Sequence, residues 1–422
     1  MMSPVIKFKK QGILLLLIFF ISQSFLLAQE RSYPYDIEWH PFIHYKDNKI
    51  EFPADSTAFL SGLQKIHNMV TKGEGRLQIL QIGGSHIQAD IYSNQARKRL
   101  QTIYPGLNGG RGFVFPYKIA KTNNPVNLKV EYEGEWESCR NVIKKQSTQT
   151  LGLAGISVTT RADTASFKIF NYKCEYDFNR VKLFYDFDSL NYDISLGDSV
   201  LIDSSYTDTV LHYTTYWLSE YTDTLFVKLI KKDTLAGKFT FYGADLETDD
   251  PGIVYHSIGI NGASIPSFLR CQLFEEQLKA LQVDWVVLSL GTNDAYHTKF
   301  DSSIYYANYD TLIQRILQAN PKTAIIITVP NDDYYHKRYP NPFTQKQEEV
   351  IYRLAKKYNA GVWNLYKIMG GFNSSQIWFD NGLMRYDRIH FTHHGYILKG
   401  DLYFNALLRM YDYYIASLNT KK

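Results

Sequence analysis

Hydrophobic and polar positions follow three regimes along this chain. Over residues 55–118 the apolar period changes between helix-like and strand-like. Ser56 to Val70 is spaced as an amphipathic helix, Leu77-Gln78-Ile79-Leu80-Gln81-Ile82 as a buried strand, and Ile91 to Tyr104 as a second helix ended by Pro105-Gly106. Over residues 119–250 the pattern becomes short runs of strict alternation, such as Ala165-Ser166-Phe167-Lys168-Ile169-Phe170 and Leu225-Phe226-Val227-Lys228-Leu229. Val181 to Tyr185 and Lys238 to Tyr242 add two more, with Asp, Ser, Asn and Gly punctuation between them. That is the pattern of an antiparallel sandwich, and no helix is needed there. From residue 251 onward helices and strands alternate again. Trp285 to Leu290 and Ala324 to Val329 are continuous apolar runs, as strands covered on both faces of a parallel sheet require. Helices are expected at Tyr309 to Ala319 and Thr344 to Tyr358, and a further strand at Ala360 to Leu365. The pattern predicts one α/β domain in two sequence pieces, 29–118 and 251–422, with an all-β module inserted over 119–250.

Residues 1–28 read as an export signal. Lys7, Lys9 and Lys10 precede an apolar stretch from Ile13 to Leu27, and Ala28 offers a small residue for cleavage. Ser22-Gln23-Ser24 interrupts that stretch, which is short for a stable transmembrane span; an uncleaved anchor is the alternative. Removing its three lysines takes the formal charge from +4 to +1, so the basic balance belongs largely to this segment. No dense Lys/Arg cluster follows, and nothing asks for a nucleic acid partner. The expected location is periplasmic or secreted. Of the three cysteines, Cys139 and Cys174 could pair in an oxidising compartment, or all three could be reduced and buried. The 33 tyrosines suit a β-rich protein with sheet-packing or sugar-facing rings, and Trp136 and Trp217 are read as sheet packing.

Four places carry candidate chemistry. Gly83-Gly84-Ser85-His86 follows a buried strand, which puts the Ser85 hydroxyl at the carboxyl edge of a sheet, where open α/β folds bind ligands. The plainer alternative is a helix N-cap. Leu290-Gly291-Thr292-Asn293-Asp294 ends a second buried strand, so the Asn293 amide falls on the same edge, as an oxyanion donor or as part of an ordinary turn. Gly259-Ile260-Asn261-Gly262-Ala263-Ser264 places a glycine turn after a third strand. Asp387-Arg388-Ile389-His390 sets an imidazole three residues after a carboxylate, so that one turn can supply a general base and the group that orients it. His390, His393 and His394 with Asp387 could instead ligate a metal. His86 and Asp90 are read as residues that orient the nucleophile turn or line the site rim, and His256, His297 and His336 as ordinary polar residues.

Ser85, Gly262, Asn293 and His390 occur in the order that names the SGNH (GDSL-type) hydrolases, and their surroundings resemble that superfamily's four blocks. The resemblance implies a flavodoxin-like three-layer α/β fold with a parallel sheet, here with the inserted all-β sandwich. It also implies Ser85 as nucleophile, His390 as base and Asp387 as its partner. The oxyanion hole would come from the Ser85 N–H, the Gly262 N–H and the Asn293 side chain, with no cofactor and no metal. Where that family carries Asp before the serine, this chain has Gly84. Ser85-His86-Ile87-Gln88-Ala89-Asp90, Gly109-Gly110-Arg111-Gly112-Phe113 and the β-rich insertion are together similar to bacterial peptidoglycan O-acetylesterases. The expected function is therefore an exported serine esterase that removes O-acetyl groups from a glycan, peptidoglycan first. Its alternatives are an esterase for acetylated xylan or host glycan, an acetyltransferase, and a non-catalytic glycan-binding protein.

Overall fold

Five parallel strands and one antiparallel edge strand make the sheet that organises the chain: β1 (Ile50–Glu51), β2 (Arg76–Gly83), β3 (Gly252–Gly259), β4 (Trp285–Ser289), β5 (Ala324–Val329) and β6 (Gly361–Asn364). Their spatial order is β1-β6-β5-β4-β2-β3, with β1 antiparallel to β6. Leaving out the edge strand, the five parallel strands stand in the flavodoxin-like order 2-1-3-4-5. The chain reverses its direction of winding between β2 and β4. The computed structural model describes residues 36–143, 149–171, 176–186, 191–197, 200–232, 237–296 and 299–420, and residues from His40 onward form one compact unit. The expected export signal and Cys174 lie outside the described residues; Cys139 is buried.

The sheet strands are apolar because helices cover both faces. Leu60–Lys72, Tyr92–Gln101 and His393–Asn419 form one layer, and Phe274–Leu281, Ser302–Ala319 and Thr344–Tyr358 the other. Ser302–Ala319 starts earlier than the apolar period predicts, because the Asp301 carboxylate caps it by accepting the Ser303 and Ile304 N–H groups. Among the described residues no helix is long and apolar enough to cross a membrane.

The alternating runs fold as two antiparallel sheets. One contains Ile202–Asp208, Tyr213–Thr222, Phe178–Tyr185, Phe239–Glu247, Ile156–Thr160 and Glu137–Arg140; the other contains Leu128–Glu133, Thr164–Asn171, Thr224–Lys231 and Tyr192–Ser195. Thr164–Asn171 alternates exposed or half-buried positions with buried ones, and Phe167 meets Phe241 of the facing sheet at 4.8 Å between ring centroids. Trp136 packs edge-on against Phe167, as sheet packing predicts.

One strand crosses the expected seam. Gly110–Val114 pairs antiparallel with the second half of Phe239–Glu247, Ala244 opposite Val114, although it precedes the alternating region in sequence. Phe239–Glu247 is buried along its whole length because it lies between the module and the α/β body. Charge is buried there too. Glu247 receives hydrogen bonds from Arg76, Arg180 and Gln78, and Asp245 lies 3.5 Å from His256.

Candidate active site

Ser85 sits two residues beyond the end of β2, as the first residue of the short helix Ser85–Gln88, whose N-cap is Gly84. It is therefore not the cap that a lone serine in this position suggests. Its Oγ lies 2.9 Å from Nε2 of His390. Nδ1 of that ring lies 2.8 Å from Oδ2 of Asp387. The other carboxylate oxygen, Oδ1, accepts the Ile389 and His390 backbone N–H groups at 3.0 Å each. Burial raises the Asp387 pKa, but the hydrogen bonds from the His390 ring and from the two amides outweigh it and hold the carboxyl well below its usual range. An ionised Asp387 can only accept, so Nδ1 of His390 carries the proton and Nε2 is left to accept from Ser85. The turn that allows this is tight: Arg388 has φ +51°, and its own N–H returns to the Arg385 carbonyl at 2.8 Å.

Gly262 and Asn293 reach the same place from the ends of β3 and β4. Gly262 has φ +81°, a conformation that favours glycine, and faces open space on its Cβ side. The Asn293 amide donates to the Ala263 carbonyl at 2.9 Å, and the neighbouring Asp294 carboxylate accepts the Ile265 N–H at 3.1 Å. Consecutive residues after β4 thus hold the segment that follows Gly262. Burial pushes the Asp294 carboxyl up to about 7. Ser85, Gly262, Asn293 and His390 line one cleft of about 550 Å³, with Asn123, Asn261 and Arg385 at its rim.

Gly84 has close neighbours on its Cβ side. Its φ of −93° lies outside the left-handed region that favours glycine. A Cβ there would lie 3.2 Å from Nδ2 of Asn293, a tight approach that a small shift of that amide would relieve, and 3.4 Å from the Ala263 carbonyl. Gly84 lets the nucleophile turn sit directly against the Asn293 amide.

Two residues that the sequence reading passed over brace this corner. Gln88 accepts the Asn261 N–H at 2.6 Å and donates to Thr122 and to the Asn123 carbonyl, tying the Gly262 turn to the opposite rim. Arg111 bonds Asp90 at 2.7 Å, and Arg97 bonds the same carboxylate. Asp90 and Arg111 come from the two motifs that carried the narrower resemblance, and they meet in a buried ion cluster. Burial opposes the charge on Asp90, but Arg97 and then Arg111 outweigh it and lower its pKa to about 2. Asp90 is held by Arg97, Arg111 and Ser93 just after the Ser85–Gln88 helix. The signal was available in sequence only as a conjunction: an acid and an arginine far too polar for the buried segments around them.

A metal has no obvious seat among the histidines near His390. His393 and His394 are exposed at the start of the last helix. Among the described residues, the three potential ligands whose atoms come within 4.8 Å of one another are Asp245, Glu247 and His256. Both His256 ring nitrogens are engaged there, Nδ1 with the Phe113 N–H and Nε2 with Gln78. Arg76 and Arg180 already oppose Glu247. That trio is an ion cluster between sheets. His336 is exposed, and His297 lies outside the described residues.

The fold is that of the SGNH-type hydrolases. Residues 221–398 match the family model described as GDSL-like Lipase/Acylhydrolase family. Ser85 lies before the matched residues, so its place in the site rests on the geometry above. A solved structure of a peptidoglycan O-acetylesterase is similar over 86% of this chain and 99% of its own, at 20% identity and a TM-score of 0.65. It therefore shares the fold across body and module together. Smaller likenesses, each over 37% of this chain, are to a lipase/acylhydrolase from Enterococcus faecalis (20% identity, 75% of that chain, TM-score 0.30) and an acetyl xylan esterase (22% identity, 82% of that chain, TM-score 0.30). No curated protein matches the chain.

Proposed function

We propose that this chain is a serine O-acetylesterase that acts on an acetylated glycan, with peptidoglycan the first candidate. The observation that carries the reading is the continuous chain from Ser85 Oγ through His390 to Asp387. Nε2 of His390 takes the Ser85 proton as Oγ attacks the ester carbonyl. The carbonyl oxygen, now an oxyanion, is held by the Ser85 and Gly262 N–H groups and by the Asn293 hydrogen not given to Ala263. Collapse breaks the bond to the sugar oxygen, which receives the proton from His390. Water then enters by the same route, and acetate leaves. The protein residues supply every proton transfer in this cycle.

Two observations support a glycan substrate. The cleft rim carries the amides of Asn123, Asn124 and Asn261, which suit sugar hydroxyls. Among the described lining residues, Arg385 alone carries a fixed charge, which favours a carboxylate-bearing glycan such as peptidoglycan over neutral xylan. Export through residues 1–28 belongs to this proposal, since that substrate lies outside the cytoplasm. Acetate release from O-acetylated peptidoglycan and from acetylated xylan tests it. Faster release from peptidoglycan is expected; faster release from xylan redirects the substrate, and release from neither removes the esterase reading.

A further inference from the structure

Ser85 and His390 belong to turns separated by 305 residues of chain. Productive hydrogen transfer between them tolerates little displacement, since a misplacement of about 1 Å can cost about 100-fold in rate. A second contact joins the same two turns. Nδ1 of His86, the residue after the nucleophile, lies 2.8 Å from the hydroxyl of Tyr396, in the first turn of helix His393–Asn419 that follows the base. The His86 ring packs on His390 at 5.2 Å, on Tyr396 at 5.7 Å and on Phe391 at 6.0 Å between centroids. Tyr396 is fixed from its other side by a parallel stack on Tyr92, 6.5 Å away with an interplanar angle of 7°.

The His86 ring keeps an exposed edge, yet its Nε2 is sealed from solvent and has no hydrogen-bond partner. A buried polar atom left in this way costs about 1–3 kcal/mol. The bond that the ring does make is the one to Tyr396. Burial, the nearby Lys399 ammonium and His390 all hold His86 well below its ordinary pKa. The ring is therefore neutral, lets the Tyr396 hydroxyl donate to Nδ1, and places no competing charge beside His390 when that residue becomes an imidazolium.

We infer that His86 and Tyr396 are positioning residues, whose single hydrogen bond ties the nucleophile's turn to the helix that follows the base. The inference rests on the reading of Ser85 and His390 as nucleophile and base. Tyr396→Phe keeps the ring and its stack and removes only the hydroxyl; His86→Ala removes the other half of the bond, and His86→Asn returns a polar atom near Nδ1. With p-nitrophenyl acetate, kcat is expected to fall about 10-fold in Tyr396→Phe and in His86→Ala, with KM within about twofold of wild type. The double variant should be no slower than the singles, and His86→Asn should recover part of the loss. Wild-type kcat in Tyr396→Phe, or losses that multiply in the double variant, would overturn the inference. A second measurement needs no turnover. In the full chain with ¹⁵N-labelled histidine, Tyr396→Phe should move the ring resonances of both His86 and His390. Movement at His86 alone refutes the brace even if the chain proves to hydrolyse no ester, so the two failures can be told apart.

Discussion

The parallel sheet and the antiparallel module divide the molecule, and the difference between them explains where chemistry can be placed. Ala324–Val329 is buried at every position, whereas Thr164–Asn171 is buried at alternate ones. The first pattern forces helical crossovers, so that all the parallel strands point the same way and their carboxyl ends collect on one edge. Ser85 after β2, Gly262 after β3 and Asn293 after β4 become neighbours for that reason alone. Antiparallel strands send successive ends to opposite edges, and a module built from them cannot gather three consecutive loops in this way. It can shape the cleft's surroundings, and Asn123, Asn124 and Val126, from the segment that leads into it, line the cleft.

This contrast can be broken experimentally, and the largest effect should come from the base's partner. Asp387→Asn should lower kcat for p-nitrophenyl acetate by about 10³–10⁴-fold through loss of the imidazole's orientation. The same exchange at Asp193, exposed in the module, should leave kcat unchanged within about twofold. Next in size is the seam. Glu247→Ala leaves Arg76 and Arg180 without their shared carboxylate and should destabilise the fold by about 3–5 kcal/mol in chemical denaturation, whereas a loss below about 1 kcal/mol would mean that body and module are only loosely joined. Asn293→Ala should cost about 10²–10³-fold in kcat with the protein still folded. A kinetic effect from the module comparable to this one would undo the division of labour.

The smallest effect concerns Lys399, whose Nζ lies 4.3 Å from the Tyr92 ring centroid and, among the described residues, has no hydrogen-bond or ion-pair partner. Burial lowers its pKa to about 7 from an ordinary 10.5. Between those values the unfolded chain binds more protons than the folded one, so stability should rise with pH through that window. Lys399→Met should flatten the rise and add on the order of 2 kcal/mol near neutral pH. Thermal unfolding across that range checks both.

Much of this was legible in the sequence, for identifiable reasons. Continuous apolar runs marked β4 and β5, strict alternation marked the module, and the residue order Ser85, Gly262, Asn293, His390 marked the site. The strand Gly110–Val114 could not be placed, because Gly-Arg-Gly has no apolar period and its pairing is decided by the length of Phe239–Glu247. Gly84 departs from the family's Asp, and sequence alone could not show that its Cα faces the Asn293 amide, 3.2 Å from where a Cβ would stand. The bonds of Gln88 to Asn261 and of His86 to Tyr396 join segments 173 and 310 residues apart, where no local spacing can signal them.

The central claim is that these separated turns make one nucleophilic site at Ser85, and acyl-enzyme trapping tests it most directly. Acid quench during turnover of p-nitrophenyl acetate, followed by peptide mass mapping, should find an acetyl group on Ser85 in the wild type. It should find none in Ser85→Ala or His390→Ala, both with turnover reduced by at least about 10³-fold. Wild-type turnover in Ser85→Ala, or acetyl groups on another residue at the kinetic rate, would contradict the account.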